Sequence, residues 1–339
     1  MRWLLRIAGL LILAALAAGA ALYFWGTAWL HRPLATLQSP TTFEVRRGAS
    51  LRTVAEELHG RGLLDRPLVW VLWARATGHA TGLKAGEYAL DPGLSPQQLL
   101  EVLSSGKVLL HAITFIEGAT FADVRKTLAA HPAVRQDYAA REDSAIMVAL
   151  GAPGTHPEGQ FFPDTYRFAR DTSDLELLGL AHRRMKEELA NAWTRRAPDL
   201  PLASAYEALI LASIVEKETA LEVERAQIAG VFVERLRRGM RLQTDPTVIY
   251  GIGAAYDGNI RRSDLVRDTP YNTYTRAGLP PTPIALPGAE SLAAAVQPQI
   301  TGALFFVATG AGDGSHYFSK TLVEHNEAVR RYLRELRAR

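Results

Sequence analysis

The stretch YEALILASIVEKETALEVERAQIAGVFVERLRR, Tyr206–Arg238, decides how this chain is read. It holds the two strongest helical patterns of the sequence, Tyr206–Lys217 and Val223–Arg238. Glu216 and Glu218 lie two residues apart at the end of the first. That is about 200° around a helix, so they cannot both face one cleft. Counting back from Glu218 by three, four and seven gives Val215, Ile214 and Leu211, an apolar stripe. Counting back from Glu216 gives Ser213, Ala212 and Leu209, a smaller and more polar strip. An apolar wall disfavours the charged carboxylate and raises its pKa. A carboxylic acid still protonated near neutrality is what general acid catalysis requires. Two solvated glutamates at a helix end, or Glu218 paired with Arg225, are the plain alternative.

Around this pair the composition is that of a globular protein. The chain has 339 residues and a mass of 37.1 kDa, a length that suits two folded units. Hydrophobic residues make up 48% and charged residues 22%, which excludes a disordered chain. Lys plus Arg number 38 against 35 Asp plus Glu. No bulk electrostatic grip on nucleic acid follows from that balance, and no nucleic-acid partner is expected. The absence of cysteine excludes disulfides, thiolate metal sites and cysteine nucleophiles. The nine histidines contain no i, i+4 pair. No HExxH, GxSxG, Walker A or strand-to-helix GxGxxG sequence is present, so neither a metal nor a cofactor is expected.

At the other end of the chain, Ile7–Trp25 reads IAGLLILAALAAGAALYFW, nineteen residues without a charge. As a helix it spans about 28 Å, roughly the hydrocarbon thickness of a bilayer. Arg2 and Arg6 precede it and favour a cytoplasmic N-terminus. Tyr23, Trp25 and Trp29 fall where aromatic rings prefer the far interface. We read residues 1–29 as a retained membrane anchor. The small residues Ala17–Ala20 also leave a cleaved signal peptide open, whereas a core helix would need a polar face that is missing. Either leading reading delivers the rest of the chain to the outer side of the membrane.

Residues 30–40, with Pro33 and Pro40, read as a linker. A compact α+β module is then expected over residues 41–108. It contains a strand at Phe43–Val45 and a helix capped by Ser50 with Leu51, Val54, Ala55 and Leu58 on one face. A helix over Pro67–Thr77, a strand over Leu83–Leu90 and a helix from Ser95 to about Gly106 follow. From Val45 to Ala55 this stretch resembles a LysM module, a small domain that binds N-acetylglucosamine-containing glycans, with Gly48, Leu51 and Val54-Ala55 in the matching places. The Pro67–Thr77 segment departs from that pattern, and a generic packing module is the alternative.

Residues 109–339 form the larger unit, again mixed α+β. Strands are expected at Ile113–Ile116 and Leu304–Val307. Helices are expected at Phe121–Leu128, Leu175–Trp193 and Thr321–Arg337, besides the two in Tyr206–Arg238. Residues 131–156 show little pattern, and the last hundred residues read as loop-rich. Four tracts interleave aromatic rings with amides, hydroxyls and carboxylates: EGQFFPDTY (Glu158–Tyr166), ASIVEKET (Ala212–Thr219), LQTDPTVIY (Leu242–Tyr250) and YNTY (Tyr271–Tyr274). Sugars suit that mixture, offering C–H faces to flat rings and hydroxyls to directional polar groups. Asp164 and Asp245 sit beside prolines, so a structural role in a turn is open for each.

These residues carry a resemblance that covers nearly the whole chain. ASIVEKET with the following Glu224-Arg225, RLQTDPTVIYG (Arg241–Gly251), YNTY and GLPPTPIALPG (Gly278–Gly288) look like the motifs of the YceG-like endolytic murein transglycosylases. The single anchor and the His316-Tyr317-Phe318 region are similar as well. Thr282 stands where that family's pattern has glycine, which touches loop shape. The resemblance implies an enzyme of the cell inner membrane, single-pass, with its catalytic domain on the cell-wall side. It implies endolytic cleavage of peptidoglycan glycan strands without water, leaving 1,6-anhydro-N-acetylmuramic acid ends, with no cofactor. The second glutamate of EKET, Glu218, is carried over as catalytic, with Glu216 as the fallback. Glu216, Gln243, Thr244, Asp245, Asn272 and Tyr274 are candidates for holding the sugars or orienting Glu218. The resemblance leaves room for cell-wall synthases, the penicillin-binding proteins, as partners. A non-catalytic glycan-binding scaffold and a muramidase-type hydrolase are the alternatives.

Overall fold

The computed structural model of the chain describes residues 2–79 and 82–338. Met1 and Arg339, the outer limits of two expected domains, lie outside the described residues, as do Ala80 and Thr81. The chain divides into two compact units, broken between His111 and Ala112, with Phe168–Asp171 belonging to the first. Mixed α and β elements build both.

The first unit opens with α1 (Arg2–Leu30), whose segment Arg6–Leu30 is long and apolar enough to cross a membrane. Leu10–Leu13, Leu16, Leu22 and Phe24 are exposed along it, as in a helix made for lipid and unlike a core helix. The helix runs to Leu30, and Trp29 and Leu30 enter the core of this unit. Leu34 and Leu37, expected in a linker, are buried there too, and Leu34 N–H donates to Leu94 O at 2.9 Å. The stretch has no period to read because single leucines, not a helix face, do the packing.

Next come β1 (Thr41–Val45), α2 (Leu51–Gly60), α3 (Pro67–Ala76), β2 (Gly86–Leu90) and α4 (Pro96–Ser105). β1 and β2 are antiparallel, with Phe43 opposite Tyr88, and both rings are buried. Ser50 caps α2 through Thr53 N–H at 3.1 Å, and Leu51, Val54, Ala55 and Leu58 are buried as the spacing requires. Ser95 and Gln98 form a capping box on α4, and Gly106 ends it in the left-handed region at φ 72°.

The second unit carries most of β3 (Leu110–Thr114), then α5 (Phe121–Ala130), β4 (Val134–Arg135) and α6 (Asp143–Ala149). It continues through β5 (Thr165–Ala169, shared with the first unit), β6 (Thr172–Ser173), α7 (Asp174–Thr194), α8 (Ala205–Glu218) and α9 (Glu222–Arg237). α10 (Asp245–Ile252), α11 (Arg262–Val266), α12 (Ala289–Val296), β7 (Phe305–Ala308), β8 (His316–Ser319) and α13 (Leu322–Ala338) complete it. α8 is its axis, buried without a break from Ala208 to Val215 and packed on α7, α9, α10 and α12. Burying one Leu, Ile, Val or Phe side chain is worth roughly 1.5–3 kcal/mol, so this helix is held rigidly. α9 approaches the backbone at Gln299 so closely that a Cβ on Gly230 would lie 2.1 Å from its carbonyl oxygen. Glycine is what lets Ala226 O accept from Gln299 N–H at 2.8 Å one turn away.

The last hundred residues are less loop-rich than their pattern suggests. α12 is eight residues long and buries Ser291, Leu292, Ala294, Ala295 and Val296. It has Pro287 and Pro298 near its ends and no amphipathic stripe to signal it. β7 finds its partner in β8, with Phe306 opposite Phe318. α6 likewise lies within the weakly patterned 131–156 stretch.

Candidate active site

α8 runs through Glu218 and stops there. Thr219 is its C-cap, with extended backbone at φ −145° and ψ 138°. The two glutamates therefore diverge as helix geometry demands.

Glu218 faces a cavity of about 180 Å³ walled by Arg235, Leu242, Gln243, Thr244, Asp245, Tyr274 and Phe306. Its Oε1 accepts a hydrogen bond from Thr244 Oγ1. The loop that brings Thr244 there is strained. Gln243 holds φ 51°, a left-handed value that a non-glycine residue rarely adopts. The strain is held from the YNTY tract: Gln243 N–H donates to Thr273 O at 3.1 Å, and Thr244 N–H donates to Thr273 Oγ1 at 3.1 Å. Thr247 Oγ1 adds a bond to Thr244 O at 2.8 Å. Tyr274 OH donates to Asp245 Oδ1 at 2.6 Å across the cavity. Burial pushes the Glu218 carboxyl up to about 7. The hydrogen bond from Thr244 opposes this, the charge of Asp245 adds to it, and the charge of Arg235 opposes it. The wall that desolvates the acid is thus the 242–245 loop, Arg235 and β7, and not the apolar stripe of its own helix, which is spent on the core.

Glu216 lies elsewhere. Its Oε2 accepts Gly288 N–H at 3.0 Å, and Arg225 Nη2 stands 3.8 Å from its Oε1. Arg225 therefore faces Glu216 and not Glu218. Glu117 adjoins the same group, its carboxyl pushed up by burial first and by the charge of Glu216 second. Gln243, Thr244, Asp245 and Tyr274 border the Glu218 cavity, whereas Glu216 and Asn272 do not. Asn272 is 1% exposed, and its amide donates to Arg267 O at 2.7 Å and Asp264 O at 3.1 Å. Its Oδ1 accepts Tyr274 N–H at 2.8 Å, which sets the loop that carries Tyr274.

Three wall residues escaped the sequence reading. Arg235 had a signal: it falls seven, four and three residues after Ile228, Val231 and Phe232, on a buried face where an arginine needs partners. It finds them in Leu304 O at 2.7 Å from Nε and Leu242 O at 2.7 Å from Nη1. Leu242 and Phe306 offered no such cue. Beyond Phe306 the His316 ring meets it edge-on at 5.5 Å. Glu224 holds that histidine by Nδ1 at 2.7 Å and by its backbone N–H at 3.0 Å.

Another raised carboxyl serves a different end. Glu158, 4% exposed, accepts Phe121 N–H at 2.9 Å and Tyr250 OH at 3.0 Å, which caps α5. Burial pushes it up to about 7 as well. For Glu158 and Glu218 alike, the folded state holds protons that the unfolded chain loses near 4.5. Stability is therefore highest below about pH 4.5 for these groups and falls as pH rises through about 7. Glu158→Gln is expected to flatten that slope and to stabilise the protein at about pH 8 by up to roughly 3 kcal/mol, leaving the Glu218 cavity intact. Urea unfolding across this pH range checks it.

Residues 43–331 match the YceG-like family, and the chain belongs to that family. A Bacillus subtilis relative named an endolytic murein transglycosylase is 31% identical over 332 residues, covering 93% of this chain and 90% of its own. A Streptococcus pneumoniae protein of the same name is 27% identical over 321 residues. That alignment covers 85% of this chain and 57% of the longer relative. A Listeria monocytogenes YceG-like protein of known crystal structure superposes with a TM-score of 0.51 at 29% identity. The match covers 85% of this chain and 99% of the other.

Proposed function

We propose that this protein is an endolytic peptidoglycan lytic transglycosylase, a lyase that cuts the β-1,4 bond between N-acetylmuramic acid and N-acetylglucosamine within glycan strands. The observation that carries the mechanism is one glutamic acid, Glu218, facing a small polar cavity in which burial pushes its carboxyl up to about 7. Glu218 donates its proton to the glycosidic oxygen, and the bond from that oxygen to C1 of the muramic acid breaks. The sugar becomes oxocarbenium-like, and the negative charge of Asp245, which is held by Tyr274, stabilises that state. The Glu218 carboxylate then takes the proton of the C6 hydroxyl as its oxygen closes on C1. The 1,6-anhydro ring forms and the acid is regenerated. The nucleophile belongs to the substrate, so no second carboxylate is needed to attack C1 or to activate a water.

Gln243, Thr244 and Tyr274 hold the sugar or orient Glu218 in this reading. Asn272 and Glu216 act through the loops they fix. Residues 41–108 are read as a LysM-like glycan-binding module, supported by the strand–helix–helix–strand order and the β1–β2 pairing. α1 is read as a single inner-membrane span with the N-terminus cytoplasmic and the catalytic domain periplasmic, supported by Arg2 and Arg6. Cell-wall synthases would be its protein neighbours.

The test is digestion of purified sacculi in water enriched in heavy oxygen, read by mass spectrometry. Muropeptides lighter by one water and free of the label support the proposal. Hydrated, labelled ends would make the protein a hydrolase, and no products would make it a scaffold.

A further inference from the structure

α1 is stapled to the first unit by its last two turns. The Trp29 indole donates to Asp65 Oδ1 at 3.0 Å, and the Arg66 guanidinium lies 4.1 Å over the Trp25 ring. The step from Asp65 to Arg66 thus descends α1 by one turn, about 6 Å toward the middle of the apolar segment. α3 begins at the next residue, Pro67. Its Leu68 and Leu72, one turn apart, are 69% and 65% exposed. With Val71 and Ala55 they line an apolar groove of about 430 Å³ edged by Arg52 and Arg75. Arg52 is paired with Glu56 at 2.8 Å. Isolated leucines on a surface need no account, but two on one helix face that starts at the mouth of a membrane span do.

We propose that the Leu68–Leu72 face of α3 is a lipid-docking surface. It lies in the headgroup and acyl boundary of the bilayer that α1 spans, with Arg75 toward the lipid phosphates. The occupant is named by continuity: α1 in lipid brings Trp25 to the interface, and Trp25 brings Arg66 and the start of α3 with it. Interfacial helices of this kind sink their apolar side about 5–10 Å into that boundary, and basic side chains there gain from anionic lipid. The first unit is then seated on the membrane and does not range on a tether. This inference rests on the reading of α1 as a retained anchor.

The absence of cysteine makes the test direct. Full-length Leu13→Cys, Leu68→Cys and Leu72→Cys variants, each carrying one fluorescent label, are placed in nanodiscs of phosphatidylcholine and phosphatidylglycerol. Lipids brominated near the headgroup or near the chain end serve as quenchers. Label 13 should be quenched most by the deep bromines, and labels 68 and 72 most by the shallow ones. Quenching at 13 with none at 68 and 72 would overturn the proposal while the anchor stands, and would point to a protein partner for the groove. No quenching at 13 would remove the anchor and the proposal together.

Discussion

Glu218→Gln is expected to abolish detectable anhydro-muropeptide formation while the protein stays folded and still binds glycan. Glutamine keeps the size of the side chain and can still accept from Thr244 Oγ1, but it has no acidic proton to give and cannot act as a base. General acid–base catalysis is typically worth about 10²–10⁴-fold, and here one group serves both halves of the cycle. Glu216→Gln should be milder. It weakens the contacts of Glu216 with Gly288 and Arg225, so its effect falls on the shape of the loop at Gly288. Muropeptide analysis of both variants decides between them. An inactive Glu216→Gln beside an active Glu218→Gln would show that the wrong carboxylate had been assigned. Full activity in both would remove this motif from the chemistry.

Arg235→Leu should carry the second large effect, on stability and activity together. Arg235 is 7% exposed, and its guanidinium is the hydrogen-bond donor to the carbonyls of Leu242 and Leu304. Leaving a buried acceptor unpaired costs about 1–3 kcal/mol, so losing both bonds should cost about 2–6 kcal/mol. The same change frees the start of the 242–245 loop and removes a positive charge whose effect is to lower the pKa of Glu218. The residual activity at temperatures where the variant is folded should therefore optimise at higher pH than the parent. Arg235→Lys keeps the charge but cannot span both carbonyls, so it should restore the pH optimum more than the stability. Urea unfolding and pH–rate profiles separate the two effects.

These two residues show what the sequence made legible. The Glu216/Glu218 divergence follows from 100° per residue alone, and the helix that carries them is long and apolar enough to be unmistakable. The α2 face, the Ser50 and Ser95 caps and the apolar α1 were legible for the same reason: each is a local pattern. The cavity is not local. Its walls come from α8, α9, the 242–245 loop, Tyr274 and β7, and a loop such as Gln243-Thr244 has no period to announce its place. Gln243, Thr244, Asp245 and Tyr274 could be singled out by residue type within polar tracts. Nothing in those tracts told them from Asn272, whose amide is spent on backbone carbonyls. α12 and β8 were hidden by shortness, since eight or four residues between prolines or glycines carry too few positions to show a face.

The central claim is that Glu218 is a carboxylic acid still protonated at working pH, and the direct measurement is its titration. Carboxyl carbon NMR on glutamate-labelled protein, assigned by difference from Glu218→Gln and Glu158→Gln, gives its midpoint. The account predicts about 7, with the enzyme's activity declining as pH rises through the same midpoint. A Glu218 midpoint near the ordinary 4.5 would leave no proton for the glycosidic oxygen and would contradict it.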